Sequence, residues 1–189
     1  VLRSWPLDGN LAVYLDTEAV LGKRTLVINV HLPCCPNDAG RQQEIDRILS
    51  FIRDALTPGG SLDLPGGAAI VFMGDTNLVG GSARRTSLLT GNISDNAMFG
   101  PDFAPDWDGG PLTDIVSRQT EKRLCYTWLS ATSAFWPGRL DYFVYNDSAV
   151  SPANHFVLDP SGMSADSLAA HGLQAADSGA SDHLLHCVD

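Results

Sequence analysis

The sequence predicts a layered α/β fold, and two observations carry that expectation. The first is the run Ala68-Ala69-Ile70-Val71-Phe72-Met73, apolar throughout and preceded by Pro65-Gly66-Gly67, which reads as a central strand covered on both faces. The second lies ahead of it: an extended segment at residues 24–31, then residues 41–56 with Ile45, Ile48, Leu49, Ile52 and Leu56 at helical spacing. A strand, a crossover helix and a second strand build a parallel pair. At the carboxyl end of the buried run, Gly74-Asp75-Thr76-Asn77 brings out a carboxylate and a carboxamide. That is where side chains of α/β folds leave the core and meet ligand, and glycine at position 74 lets the backbone turn without a Cβ in the way. Alone, the tetrapeptide reads first as a strand-terminating turn with an Asx cap.

Taken in order, residues 11–15 and 24–31 form two strands joined through a turn at Leu21-Gly22-Lys23. The second strand ends in His31-Leu32-Pro33, so a histidine sits where the chain leaves the sheet. Asn37 and Asp38 are candidate caps for the helix at 41–56, and Pro58-Gly59-Gly60 stops it. After Asn77 the pattern turns irregular, with a short element around residues 84–89. Residues 99–111 hold Asp102, Asp106 and Asp108 among prolines and glycines, but placing Asp106, Asp108 and Gly109 at the third, fifth and sixth positions of an EF-hand puts Ala104 at its first position and Ile115 at its twelfth, so the calcium template fails. A surface loop over the site is the expectation there. Two further strands are expected at residues 125–129 and 139–145, with Trp136-Pro137-Gly138 in the turn between them. Another strand is expected at 150–158, then a short helix at 165–170 ending at His171-Gly172, and a last strand at 184–188 after Ser181-Asp182-His183. No internal repeat and no low-complexity segment interrupts this order.

At 189 residues and 20.2 kDa the chain suits one domain, residues 1–189, with a sizeable core. No run approaches the ~20 apolar residues that span a bilayer. The opening Val1-Leu2-Arg3-Ser4-Trp5-Pro6 has neither an initiator methionine nor a signal pattern, so the chain is expected to begin inside a longer gene product. With 12 Lys+Arg against 22 Asp+Glu the formal charge is -10, and the average field repels phosphate backbones. This disfavours broad nucleic-acid affinity. A polyanionic substrate would need a local cationic patch or a hard divalent cation. Cys34, Cys35, Cys125 and Cys187 form no CxxC pair, so neither a zinc ribbon nor a thioredoxin-like site is indicated, and the redox compartment stays open with a lean toward a secreted or extracytoplasmic chain.

Four strand ends therefore offer polar groups: His31, the pair Asp75 and Asn77, Asp141, and the pair Asp182 and His183. Each alone has an ordinary reading, as a satisfied core histidine, a buried partner of an arginine or an Asx turn. Together, the pieces Asn29-Val30-His31-Leu32, Gly74-Asp75-Thr76-Asn77, Tyr126-Thr127-Trp128, Arg139-Leu140-Asp141-Tyr142-Phe143 and Ser181-Asp182-His183 resemble the endonuclease/exonuclease/phosphatase family of metal-dependent phosphoesterases. The resemblance implies a DNase I-like four-layer α/β sandwich, two central mixed β-sheets flanked by helices, represented here by its C-terminal two-thirds. It implies hydrolysis of a phosphodiester by an activated water, with Mg²⁺ (or Mn²⁺) as cofactor and a phosphate ester, nucleic acid among the candidates, as substrate. By similarity Asp75 would orient or deprotonate the water, and Asn77 would hydrogen-bond the phosphate or the water. His183 would sit against the phosphate with Asp141 fixing its tautomer, and His31 would be a second donor. Asp182, with Asp75, would bind the metal. Trp128 and Thr127 would pack behind the site.

Two departures stand against the family pattern. An N-terminal asparagine and metal-binding glutamate have no counterpart before Leu11, and neither Glu18 nor Glu44 sits in a matching motif. An N-terminal segment or separate chain would then complete the domain. Leu185 also occupies the region where relatives carry proline after the Asp-His pair, a change expected to affect local backbone only. Arg84, Arg85, Arg118, Arg123 and Arg139 are the cations that could supply a local field. The alternative function is a non-catalytic binding module that kept the fold and lost the metal site, against which stands the number of polar groups retained at strand ends.

Overall fold

The computed structural model describes residues 1–189 and opens with an antiparallel pair, β1 (Arg3–Leu7) and β2 (Asn10–Leu15). The sequence reading missed β1. Pro6 lies within it and lowers its strand score, but β1 is the edge of its sheet, where a missing N–H is tolerated. The signal that could have found it is Asp8-Gly9, both at positive φ (51° and 91°), the two-residue turn that favours a hairpin. A short helix α1 (Glu18–Leu21) leads to β3 (Thr25–His31), antiparallel to β2. Then come α2 (Asp38–Leu56), β4 (Ala69–Asp75), α3 (Ala83–Thr90) and α4 (Asn96–Phe99). β3 and β4 are parallel, as the strand, helix, strand pattern requires, with His31 level with Asp75. β5 (Thr113–Asp114) and β6 (Asp141–Tyr145) pair antiparallel and complete a six-stranded mixed sheet in the order β1-β2-β3-β4-β6-β5.

The chain divides into two units, residues 1–114 with 142–151 and residues 115–141 with 152–189. In the first, α2 lays Ile45, Ile48, Leu49, Ile52 and Ala55 on a core that includes Leu26, Ile28, Val30, Ile70 and Phe72 from β3 and β4. Asn37 caps α2, its side chain accepting from Gly40 N at 3.0 Å. The start of β4 is held by Asn146, fully buried: its Oδ1 accepts from Ile70 N at 2.7 Å and its Nδ2 donates to Ala68 O at 3.0 Å. The aspartates of the 99–111 segment are spent on local backbone and side-chain bonds: Asp102 accepts from Ile93 N and Asn96 Nδ2, Asp106 from Trp107 N and Ser148, and Asp108 from Gly110 N. They cap turns.

In the second unit β7 (His155–Leu158) pairs antiparallel with β8 (Leu185–Val188), and α5 (Ala165–His171) ends on Gly172 in the left-handed conformation. Gln119 adds an isolated parallel bridge to Val157 of β7. The strand expected at 125–129 is absent as a ladder. Trp128 makes only isolated bridges, to Gly138 and to His183. The chain is thus mixed α/β, a central mixed sheet with flanking helices. All four cysteines are free, and no helix is long and apolar enough to cross a membrane.

Candidate active site

The expected site residues fall into two clusters, one in each unit. In the first unit, parallel pairing of β3 with β4 puts His31 beside Asp75, and Leu32 N donates to Asp75 O at 2.9 Å to continue the ladder one residue further. His31 Nε2 lies 3.6 Å from Asp75 Oδ2, with the imidazole largely exposed. This register needs glycine at 74. Its φ is +128°, and a Cβ there would stand 2.1 Å from Val30 O.

Asn77 follows with φ 48°, a left-handed conformation that asparagine tolerates better than most residues. Its backbone N–H donates to Asp75 Oδ1 at 2.9 Å, and its Nδ2 donates to Asp75 Oδ2 at 3.0 Å and to Leu32 O at 2.9 Å. A carboxamide has two N–H donors, so both are engaged, one orienting Asp75 and one tying down the loop after β3. Two residues outside the motifs support this cluster. Asn10, buried, accepts from His31 N at 2.9 Å and donates to Glu44 Oε2 at 2.8 Å. No motif marks Asn10, because its partners come from β3 and α2. Glu44 is thereby accounted for as its acceptor, and Glu18 as the ion-pair partner of Arg24 at 3.1 Å.

In the second unit His183 and Asp141 meet, Nδ1 to Oδ2 at 2.8 Å. An ionised carboxylate only accepts, so Nδ1 carries the hydrogen and Nε2 is left with the lone pair in the neutral ring. Thr127 positions Asp141. Its hydroxyl oxygen accepts from Asp141 N at 2.9 Å and Leu140 N at 3.1 Å, and the residue is 1% exposed. Trp128 does more than pack: its indole N–H donates to Asp182 Oδ2 at 2.9 Å. Backbone bonds from Leu129 N to Asp182 O and from Leu184 N to Thr127 O hold the Asp182-His183 segment against it.

The cations divide by surroundings. Arg85 is bound to Asp114, Arg139 donates to Ile115 O, and Arg84 is bound to Asp38 and Val79 O. Arg118 and Arg123 are exposed. No three His, Cys, Asp or Glu side chains gather into a metal cage. The available donors are oxygen, however, and Asp182 is exposed. One or two carboxylates with retained water is the usual way a protein holds Mg²⁺, so the donor set fits that cation.

The model of the Endonuclease/Exonuclease/phosphatase family matches residues 9–183. No curated protein sequence matches the chain. Among solved structures, ANGEL2, a 2′,3′-cyclic phosphatase, aligns with a TM-score of 0.58 at 16% identity, over 95% of this chain and 59% of that one. A Staphylococcus aureus beta toxin with bound magnesium ions aligns with a TM-score of 0.50 at 14% identity, over 79% and 46%. D. rerio TDP2 complexed with single-strand DNA product gives a TM-score of 0.46 at 18% identity, over 95% and 60%. At these identities the likeness is one of fold, DNase I-like, and this chain spans about half the length of the solved structures it matches. The family match runs from the strand before His31 to His183 itself and takes in both clusters, and the chain accordingly belongs to the endonuclease/exonuclease/phosphatase family.

Proposed function

We propose that this chain hydrolyses phosphodiester bonds, nucleic acid among the candidate substrates, by attack of an activated water with Mg²⁺ (or Mn²⁺) bound. The observation that carries the reading is the 2.8 Å pair of His183 Nδ1 and Asp141 Oδ2. A carboxylate on one ring nitrogen fixes the orientation of the ring, and Nε2 of the protonated ring would donate to phosphate oxygen as negative charge builds there. Asp75 takes the role of orienting or deprotonating the attacking water. Each of its oxygens can accept two hydrogen bonds, which is how a carboxylate held by Asn77 can also accept from water. Asn77 acts through Asp75, because its amide donors are engaged by Asp75 and Leu32. His31, exposed beside Asp75, is a second donor to phosphate.

Asp182 and Asp75 are the carboxylates assigned to Mg²⁺, which when bound would polarise the phosphate and help a water ionise near neutral pH. The magnesium-bearing beta toxin supports that cofactor at the level of fold.

The test is hydrolysis of bis-p-nitrophenyl phosphate and duplex DNA in Mg²⁺ and in excess chelator, with His183→Ala and Asp75→Asn beside the unaltered chain. Chelator-sensitive turnover that falls at least ~100-fold in each variant is expected, the usual scale for acid–base and charge-stabilising groups. Near-normal rates in either variant would sink its assigned role. Inactivity of the unaltered chain in Mg²⁺ and in Mn²⁺ would favour a non-catalytic binding module.

A further inference from the structure

Resting on the reading above, we propose that Asp38, held between Arg41 and Arg84, is a clamp that positions Asn77 and through it Asp75. Two loops leave the parallel strands: residues 32–37 after β3 and residues 76–82 after β4. Each is gripped by an arginine from the helix that follows it. Arg41, in the first turn of α2 and with its side chain 1% exposed, donates through Nη1 to Pro33 O and to Cys35 O, both at 2.8 Å. Arg84, near the start of α3 and with its side chain 14% exposed, donates through Nη2 to Val79 O at 3.1 Å.

The two guanidinium groups meet on one carboxylate oxygen. Arg41 Nη2 bonds Asp38 Oδ1, and Arg84 Nη2 lies 3.1 Å from the same atom. A third link closes the ring at the strand ends, Asn77 Nδ2 to Leu32 O at 2.9 Å. Leu32 is thus fixed by Asn77, Pro33 and Cys35 by Arg41, and Val79, two residues past Asn77, by Arg84. A guanidinium suits this because its planar fork of donors can hold a backbone carbonyl and a carboxylate together.

The arrangement is poorly explained as a device for stability. Asp38 is 61% exposed on its side chain, and exposed ion pairs contribute little to folding. The loop it secures contains Gly80 at φ +81°, in a conformation few side chains adopt, beside Gly81, and such a segment wanders unless tied. Asn77 has one amide donor on Asp75 and the other on the opposite loop. A shift of either loop therefore changes how Asp75 is aimed, and misplacement by an ångström at a reacting group costs up to two orders of magnitude in rate. Arg41 and Arg84 are positioning residues in this account, without contact to the reacting atoms.

The experiment compares the full chain with Asp38→Asn, Arg84→Ala, Arg84→Lys and His183→Ala. The readouts are kcat and KM on bis-p-nitrophenyl phosphate in Mg²⁺, the melting temperature, and amide hydrogen exchange. In Arg84→Ala and Asp38→Asn, kcat is expected to fall about 10- to 100-fold with KM within about two-fold and melting within about 2 °C. Amides of residues 77–81 should exchange at least ~10-fold faster while those inside β3 and β4 keep their rates. Arg84→Lys should recover part of kcat, since it keeps the charge but not the fork. Unchanged exchange at 77–81 overturns the clamp, as does a rise in KM at constant kcat, which would make Arg84 a substrate contact. Loss of melting temperature with faster exchange throughout β3 and β4 overturns it too, by making the network structural only. If the unaltered chain and His183→Ala are equally inert, the proposed function fails, and the exchange pattern alone still decides the clamp.

Discussion

Replacing Thr127 by valine tests how Asp141 is held. Valine keeps the shape and burial of threonine but removes the hydroxyl oxygen that accepts from both Leu140 N at 3.1 Å and Asp141 N at 2.9 Å. Each such bond contributes a net ~0.5–1.5 kcal/mol, so the pair amounts to about 1–3 kcal/mol, a sizeable part of the ~5–15 kcal/mol that stabilises a typical domain. With a urea slope of about 2 kcal/mol/M, the unfolding midpoint should drop by roughly 0.5–1.5 M. Turnover should fall by about 10-fold or more beyond the effect of partial unfolding, because the carboxylate that meets His183 at 2.8 Å loses its backbone anchor. Thr127→Ser is the control: it keeps the acceptor and loses a methyl group, so it should keep most of the activity at a cost near 1 kcal/mol. If valine and serine variants melt alike in urea and turn over alike, the hydroxyl is no anchor and the reasoning fails.

Two further predictions concern the frame around the clusters. Gly74→Ala puts a Cβ 2.1 Å from Val30 O at φ +128°, combining backbone strain of about 1–3 kcal/mol with overpacking of similar size. A midpoint within ~0.3 M of the unaltered chain would show that β3 and β4 can separate without cost. The second prediction concerns Asp159, which is almost wholly buried, a condition that by itself raises a carboxyl pKa. Hydrogen bonds from Lys122 Nζ at 2.7 Å, Ser161 Oγ at 2.6 Å and Ser178 Oγ at 3.2 Å outweigh that burial and leave the carboxyl below its ordinary value. A depressed folded-state pKa contributes stability that is present above the unfolded value, near ~3.9, and is lost as pH falls through the folded one. Urea midpoints should therefore decline as pH is lowered below about 4, and Asp159→Asn should flatten that decline. An equally steep decline in the variant would remove Asp159 from the account.

Much of the first unit was legible in the residues alone. The uncharged run ending at Met73 and the helical spacing from Ile45 to Ile52 are local patterns, and burial of one face is enough to select strand or helix from them. Asn37 as a cap and Gly172 as a helix stop are equally local. The polar residues at strand ends were named from the same patterns and from the family resemblance. The stretch 125–129 shows where this reasoning stops. Its composition suits a strand, but the segment has no ladder partner and makes only the isolated bridges of Trp128.

By itself, then, the sequence determined the parallel strands β3 and β4, the helix between them, and which side chains emerge where the strands of this phosphoesterase-family chain end. Only the tertiary structure decided what those side chains touch. It turned both donors of Asn77 onto Asp75 and Leu32, gave the His31 backbone N–H an acceptor in the Asn10 side chain, and set Thr127 beneath Asp141. It also brought His183 to Asp141 across 42 residues of chain. Secondary structure follows from the steric and hydrophobic preferences of neighbouring residues. A hydrogen bond between distant ones depends on where the closed chain places each backbone, and no local pattern records that.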